Sequence, residues 1–163
     1  LAKEIIGRYP KARSATIPLL HLSQQQNGYV TNDAIAHVAE LVGATSAEVL
    51  GTCTFYEMFK MEPVGKYLVN ICGTMSCQLM GSEELMHHAE HVLGVKAGGT
   101  TADGMFTLKT VECLGSCGTA PMMQVGADYY ENLTMPKLDG LLDRFRSEGK
   151  RKSYTDKPET RTF

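Results

Sequence analysis

The chain has 163 residues, 43% of them hydrophobic and 21% charged, with a formal net charge of −2. Such a composition fits one compact domain or two small ones and excludes a disordered chain. No run approaches ~18 consecutive apolar residues, and no basic segment followed by an apolar run opens the chain, so neither a membrane span nor a secretion signal is expected. Leu1 stands first instead of Met, which leaves the true N-terminus open.

The first 60 or so residues read as helices. "SATIPLLHLSQQQNG" spaces Ile17, Leu20 and Gln24 helically and ends at Gly28, a good C-cap. "TNDAIAHVAELVG" predicts a helix with Asn32 as N-cap, Ile35, Val38, Ala39 and Val42 inward, and Gly43 as its stop. "TSAEVLGTCTFYEMF" opens with Thr45 and Glu48, a capping box, and carries Val49, Cys53 and Tyr56 at helical period. "MEPVGK" breaks the pattern. It predicts a helical domain over 1–63, a second domain over 64–149 and a polar tail over 150–163.

In the second domain "KYLVNICG" reads as a strand running into Cys72. "SEELMHHAEHVLGV" reads as a helix capped by Ser82, with Leu85, Met86, Ala89, Val92 and Leu93 inward. "GMFTLKTVECLG" alternates Phe106, Leu108 and Val111 and is expected to run as a strand into Cys113. "PMMQVGADYYENL" predicts two strands with a turn at Gly126–Asp128. "TMPKLDGLLDRFRSEG" predicts a helix capped by Thr134, with Leu138, Leu141, Leu142 and Phe145 inward and Gly149 as its stop. The expected order is β-α-β-β-α, a sheet with helices against it, α/β or α+β.

Four of the five cysteines fall in "CGTMSC" (72–77) and "CLGSC" (113–117). With no export signal, clustered cysteines point to metal binding or redox work before stable disulfides. Both pairs are expected in Gly-rich turns just after strands, where Gly73, Gly115 and Gly118 let the backbone bend and free amides face sulfur. Two adjacent strand ends in one sheet would bring the four sulfurs together. The spacing is C-x4-C, 35 residues, then C-x3-C. Zinc knuckles prefer C-x2-C, thioredoxin-type redox motifs require C-x-x-C, and C-x4-C occurs in plant-type [2Fe–2S] ferredoxins. Spacing favours [2Fe–2S] and leaves zinc, disulfides and redox thiols open. Cys53 stands alone among apolar neighbours and reads as a small buried hydrophobe.

"VGKYLVNICGTMSC" with "FTLKTVECLGSCGTAPMMQV" resembles the E-subunit family of the proton-pumping NADH–quinone oxidoreductase, respiratory complex I, whose members carry a thioredoxin-like [2Fe–2S] domain. "PLLHLSQQQNGYV", "TFYEMF", "PVGKY" and "YYENLT" fit it too, so the resemblance reaches about Gly149. It implies an α+β protein: an N-terminal helical bundle that docks on a neighbouring flavoprotein, then a thioredoxin-like α/β domain carrying the cluster. It implies Cys72, Cys77, Cys113 and Cys117 as cluster ligands. NADH and FMN would be bound by the flavoprotein subunit, and the cluster would take single electrons from the flavin side, as a temporary store off the main chain of clusters. A large iron–sulfur subunit would be the other partner. The place implied is the soluble peripheral arm on the cytoplasmic side of a bacterial inner membrane, or the matrix side in an organelle, with no insertion into the bilayer. Equivalent subunits serve NAD-linked hydrogenases and formate dehydrogenases, which is the alternative within the class.

Other readings belong to other classes. The chain has no G-x-G-x-x-G fingerprint, so it is expected to carry electrons within an enzyme and not to be a complete NADH oxidase. No Lys or Arg lies in either cysteine loop, so backbone amides must stabilise the cluster and a low potential is expected. Asn32 to Phe59 resembles a helix-turn-helix. Five cations against six anions through Pro63 make a poor phosphate-binding surface, so no nucleic acid is expected. A zinc-stabilised interaction domain is the third possibility. His87, His88 and His91 are expected to face water, the nine methionines to fill gaps, and Met75 to shield the ligand loop. The cluster Lys150, Arg151 and Lys152 reads as a solvated tail.

Overall fold

The computed structural model describes residues 1–148. The Gly149 stop, the tail over 150–163 and its basic cluster lie outside the described residues. The chain divides into two compact units, the first Leu1–Pro63 and the second from Val64 onward.

The first unit is helical: α1 (Ala2–Gly7), a 3-10 turn (Ala12–Ala15), α2 (Thr16–Asn27), α3 (Asn32–Val42) and α4 (Ser46–Phe55). Gly28 ends α2 and Gly43 ends α3, both left-handed. Thr45 caps α4, its hydroxyl accepting from the Glu48 amide while the Glu48 carboxylate accepts from the Thr45 amide. The predicted inward face of α3 is buried as Ile35, Val38, Ala39 and Val42, against Leu19, Leu20, Val49 and Cys53. Each such aliphatic side chain contributes roughly 1.5–3 kcal/mol by leaving water.

Two expectations fail in this unit. The N-cap of α3 is Thr31, whose hydroxyl accepts from the Ala34 amide at 3.1 Å, and Asn32 is already helical. Thr31 has the extended backbone a cap needs (ψ 160°). Tyr56 does not continue α4: it leaves the helix in extended conformation and is partly exposed beside the exposed Phe55.

The second unit runs β1 (Tyr67–Cys72), α5 (Met75–Leu79), α6 (Ser82–Leu93), β2 (Phe106–Val111), a 3-10 turn (Cys117–Thr119), β3 (Met123–Val125), β4 (Asp128–Tyr130) and α7 (Met135–Glu148). Its sheet has the order β2-β1-β3-β4. β1 and β2 are parallel, and β3 is antiparallel to both β1 and β4. The hairpin turns where expected, with Gly126 left-handed. Helices α6 and α7 cover the face made by Tyr67, Val69, Ile71, Phe106, Leu108, Met123 and Val125. Leu138, Leu142 and Phe145 are fully buried there, and Phe145 stacks on Tyr67 at 4.9 Å between ring centroids. With the N-terminal helices and this mixed sheet the protein is α+β.

The expected order lacked α5, a five-residue helix with no apolar period to announce it. Ser82 does not cap α6; Gly81 does, in left-handed conformation, and Ser82 is buried in the first turn. β2 stops at Val111, two residues short of Cys113. Thr134 caps α7 as expected, accepting from the Lys137 amide at 3.4 Å. No described helix is long and apolar enough to cross a membrane.

Candidate metal centre

Parallel pairing of β1 and β2 carries both cysteine loops to one end of the sheet. Cys72 is the last residue of β1 and lies opposite Val111, the last of β2. The Gly73 amide donates to the Val111 carbonyl at 3.0 Å, so the two chains separate only after that point. Beyond it β1 turns into α5, which carries Cys77, and β2 runs into the 113–117 loop. The expectation that both pairs sit in turns is therefore corrected: Cys72 is in a strand and Cys77 in a helix.

The four sulfurs form two pairs. Cys113 and Cys117 are 3.5 Å apart, and Cys72 and Cys77 hydrogen-bond each other. The first loop's pair is buried with Ala120 and Met122, while Cys113 and Cys117 are exposed. The pairs face each other. The Leu114 amide reaches Cys72, the Thr74 hydroxyl serves both Cys72 (3.2 Å) and Cys113, and the Ser76 hydroxyl reaches Cys117.

Electrostatics divides each pair. Burial pushes the Cys72 thiol up, but the Thr74 hydroxyl and the Thr74 and Leu114 amides outweigh it and bring it below the ordinary cysteine value. Burial and its bond to Cys72 push Cys77 up to about 11. Cys113 is lowered first by the Gly115 amide, which donates at 3.4 Å, and Cys117 is raised by its bond to Cys113. Amides and hydroxyls thus already converge on sulfur, and such donors stabilise thiolate. Of the three glycines expected to bend these loops, Gly115 is left-handed (φ 84°), whereas Gly73 and Gly118 are not. Gly73 has a different constraint: a Cβ there would stand 2.6 Å from the Thr110 methyl.

One tetrahedral zinc requires four ligands about a point. Two irons bridged by sulfide require two thiolates each, and two facing thiol pairs fit that demand.

The other candidates differ. Cys53 is buried 3.2 Å from the Met61 sulfur, and burial raises its thiol. His87 and His91 are exposed beside a cavity of about 390 Å³ with Glu90 and Lys96. Glu90 is bound by the Lys96 ammonium at 2.8 Å and the Ala97 amide at 2.9 Å. His88 does not face water as expected; it is half-buried and bonds Asp139 on α7 at 2.7 Å. Met75 is 77% exposed, as Leu79 (81%) and Met80 (62%) are. Sequence reasoning missed Thr74, Ser76 and Leu114. The small polar residues inside a ligand loop were the available signal for the first two, and a backbone amide carries none.

The family of thioredoxin-like [2Fe–2S] ferredoxins matches residues 2–146. A relative in Rhizobium meliloti (strain 1021), E-subunit 2 of its NADH-quinone oxidoreductase, is 46% identical over 141 residues, 86% of this chain and 84% of that protein. NADH-quinone oxidoreductase subunit 2 of Thermus thermophilus is 41% identical over 159 residues, 96% of this chain and 87% of that protein. The crystal structure of an air-oxidized NAD+-reducing [NiFe]-hydrogenase aligns with a TM-score of 0.67 at 20% identity, over 80% of this chain and 23% of the hydrogenase chain. At that identity the likeness is one of fold.

Proposed function

This chain belongs to the thioredoxin-like [2Fe–2S] ferredoxin family, and we propose that it is the electron-transfer subunit of an NADH–quinone oxidoreductase. It exchanges single electrons with the FMN of a partner flavoprotein that binds NADH, and its second partner is the large iron–sulfur subunit. It works on the soluble peripheral arm of the complex, on the cytoplasmic side of a bacterial membrane. The relatives named for that oxidoreductase, at 46% and 41% identity, favour this assignment over the hydrogenase counterpart.

One observation supports the site assignment above the others: two thiol pairs, separated by 35 residues in sequence, meet at the ends of β1 and β2. Cys72 and Cys77 on the buried side and Cys113 and Cys117 at the surface would together hold the cluster. When bound, the cluster supplies one-electron transfer without proton exchange. The protein's part is positional. Met122, Ala120 and Leu114 exclude water from the inner pair, and the Thr74, Leu114 and Gly115 amides meet charge on sulfur.

The test is iron and acid-labile sulfide per chain, with EPR of the dithionite-reduced protein. Two irons, two sulfides and a rhombic signal from one unpaired spin are expected, with reduction by NADH only after the NADH-oxidising flavoprotein is added. Zinc with no sulfide, in protein reconstituted without oxygen, would overturn the electron-carrier reading and leave a zinc-stabilised docking domain.

A further inference from the structure

Strand β4 and the turn after it grip the second ligand loop at several points, and none of these residues is itself a ligand candidate. The Tyr129 hydroxyl donates to the Leu114 carbonyl at 2.9 Å. The Asn132 amide donates to the Thr119 carbonyl at 2.8 Å. Between them, one carboxylate oxygen of Glu131 accepts from both the Ser116 and the Thr119 hydroxyls, the latter at 2.6 Å. The Ser116 and Thr119 hydroxyl oxygens lie 2.9 Å apart, so the two donors and the carboxylate form a compact polar ring. Ser116 directly precedes Cys117, so the ring is fastened one residue from a proposed ligand.

Two features make this more than a loop anchor. The Ser116 hydroxyl, ahead of the Thr119 hydroxyl, holds the Glu131 carboxyl below the ordinary glutamate value, so the ring carries a full negative charge at neutral pH. The cation beside it, Lys137, hydrogen-bonds the backbone carbonyls of Glu131 (2.6 Å) and Asn132 (3.4 Å) and acts on the carboxylate only through its charge, which also lowers the Glu131 carboxyl. A fixed negative charge beside a site that gains an electron opposes the gain.

We infer that Glu131 is a positioning residue of the cluster site: it closes the 113–117 loop through Ser116 and Thr119 and, as an anion held by hydroxyls and not by a salt bridge, keeps the reduction potential down. The inference rests on the [2Fe–2S] reading. It gives a physical source for a low potential that lies outside both cysteine loops.

The substitution Glu131→Gln separates charge from hold, because its amide oxygen can still accept from both hydroxyls. Wild type and E131Q are loaded with iron and sulfide without oxygen, and the midpoint potential is read by EPR-monitored titration. The expected result is a retained rhombic signal and an upward shift of about tenfold in the reduction equilibrium, about 59 mV for one electron. Glu131→Asp, which keeps the charge, should stay closer to wild type. An unchanged potential in E131Q overturns the inference. The hold is read separately by hydrogen exchange in the metal-free Glu131→Ala chain, which lacks the acceptor: faster exchange than wild type confined to the Thr119 and Asn132 amides supports it, and exchange equal to wild type overturns it. Failure of wild type itself to take up two irons and two sulfides would overturn the underlying reading instead, so the two failures are distinguishable.

Discussion

Cys72 pairs with Val111 in the parallel register of β1 and β2, and that pairing places Cys113 two residues beyond the neighbouring strand end. Replacing any of Cys72, Cys77, Cys113 or Cys117 by Ser is therefore expected to abolish or alter the visible and EPR spectra. Cys53→Ala is expected to leave both spectra intact and to cost about 1 kcal/mol in urea unfolding, because it only empties a small volume beside Met61. A spectrum lost on Cys53→Ala would refute the ligand assignment.

Gly115 needs a left-handed backbone at φ 84°, while a Cβ added there would meet nothing within 4 Å. The penalty of Gly115→Ala is then the backbone alone, about 1 kcal/mol. It falls on the amide that faces Cys113, so visible absorbance should bleach faster in air than in wild type. Gly118→Ala, with open space and no left-handed requirement, should bleach at the wild-type rate.

Gly65 lies against β2, where a Cβ would stand 2.7 Å from the Phe106 carbonyl carbon and 2.9 Å from the Thr107 nitrogen. Backbone cannot step aside, so Gly65→Ala should cost roughly 1–3 kcal/mol. Phe145→Ala, which removes the ring between Tyr67 (4.9 Å) and Tyr130 (5.8 Å), should cost about 3–5 kcal/mol. Denaturant unfolding followed by the tyrosine signal checks both, and a Phe145→Ala chain as stable as wild type would contradict the packing described.

Glu48 has its carboxyl lowered from 4.5 to about 2, first by the Thr45 amide and then by the Arg13 guanidinium and the Thr45 hydroxyl. The folded chain binds this proton less readily than the unfolded one, so the group stabilises the fold above pH 4.5 and loses that contribution as pH falls toward 2. The Tm difference between wild type and Glu48→Gln should shrink across that window. A difference independent of pH would show that the capping box does not act through the ionised carboxylate.

Where structure was set by neighbours a few residues apart, it was readable in advance. The capping box of Thr45 and Glu48, the left-handed Gly28 and Gly43, the buried stripe of α3 and the Gly126 turn all depend on bonds or periods spanning four residues or fewer. The two helix starts were misread where adjacent residues can both cap. Thr31 and Asn32 both can cap, as Gly81 and Ser82 both can, and the angle at which the chain enters each helix chose between them. Helix α5 was invisible because five residues, "MSCQL", carry no period; it forms where β1 must turn to bring Cys77 back to Cys72.

By itself the sequence pointed to four cysteines as the candidate ligands, because thiol chemistry and the small, flexible residues around it are written in two short segments. Only the tertiary structure decided that the two thiol pairs face each other, which pair is buried, and that Glu131 reaches the second loop through Ser116. These depend on contacts between residues 15 to 41 positions apart, such as Ser116 with Glu131 and Cys72 with Cys113. No local propensity reaches that far; strand register does.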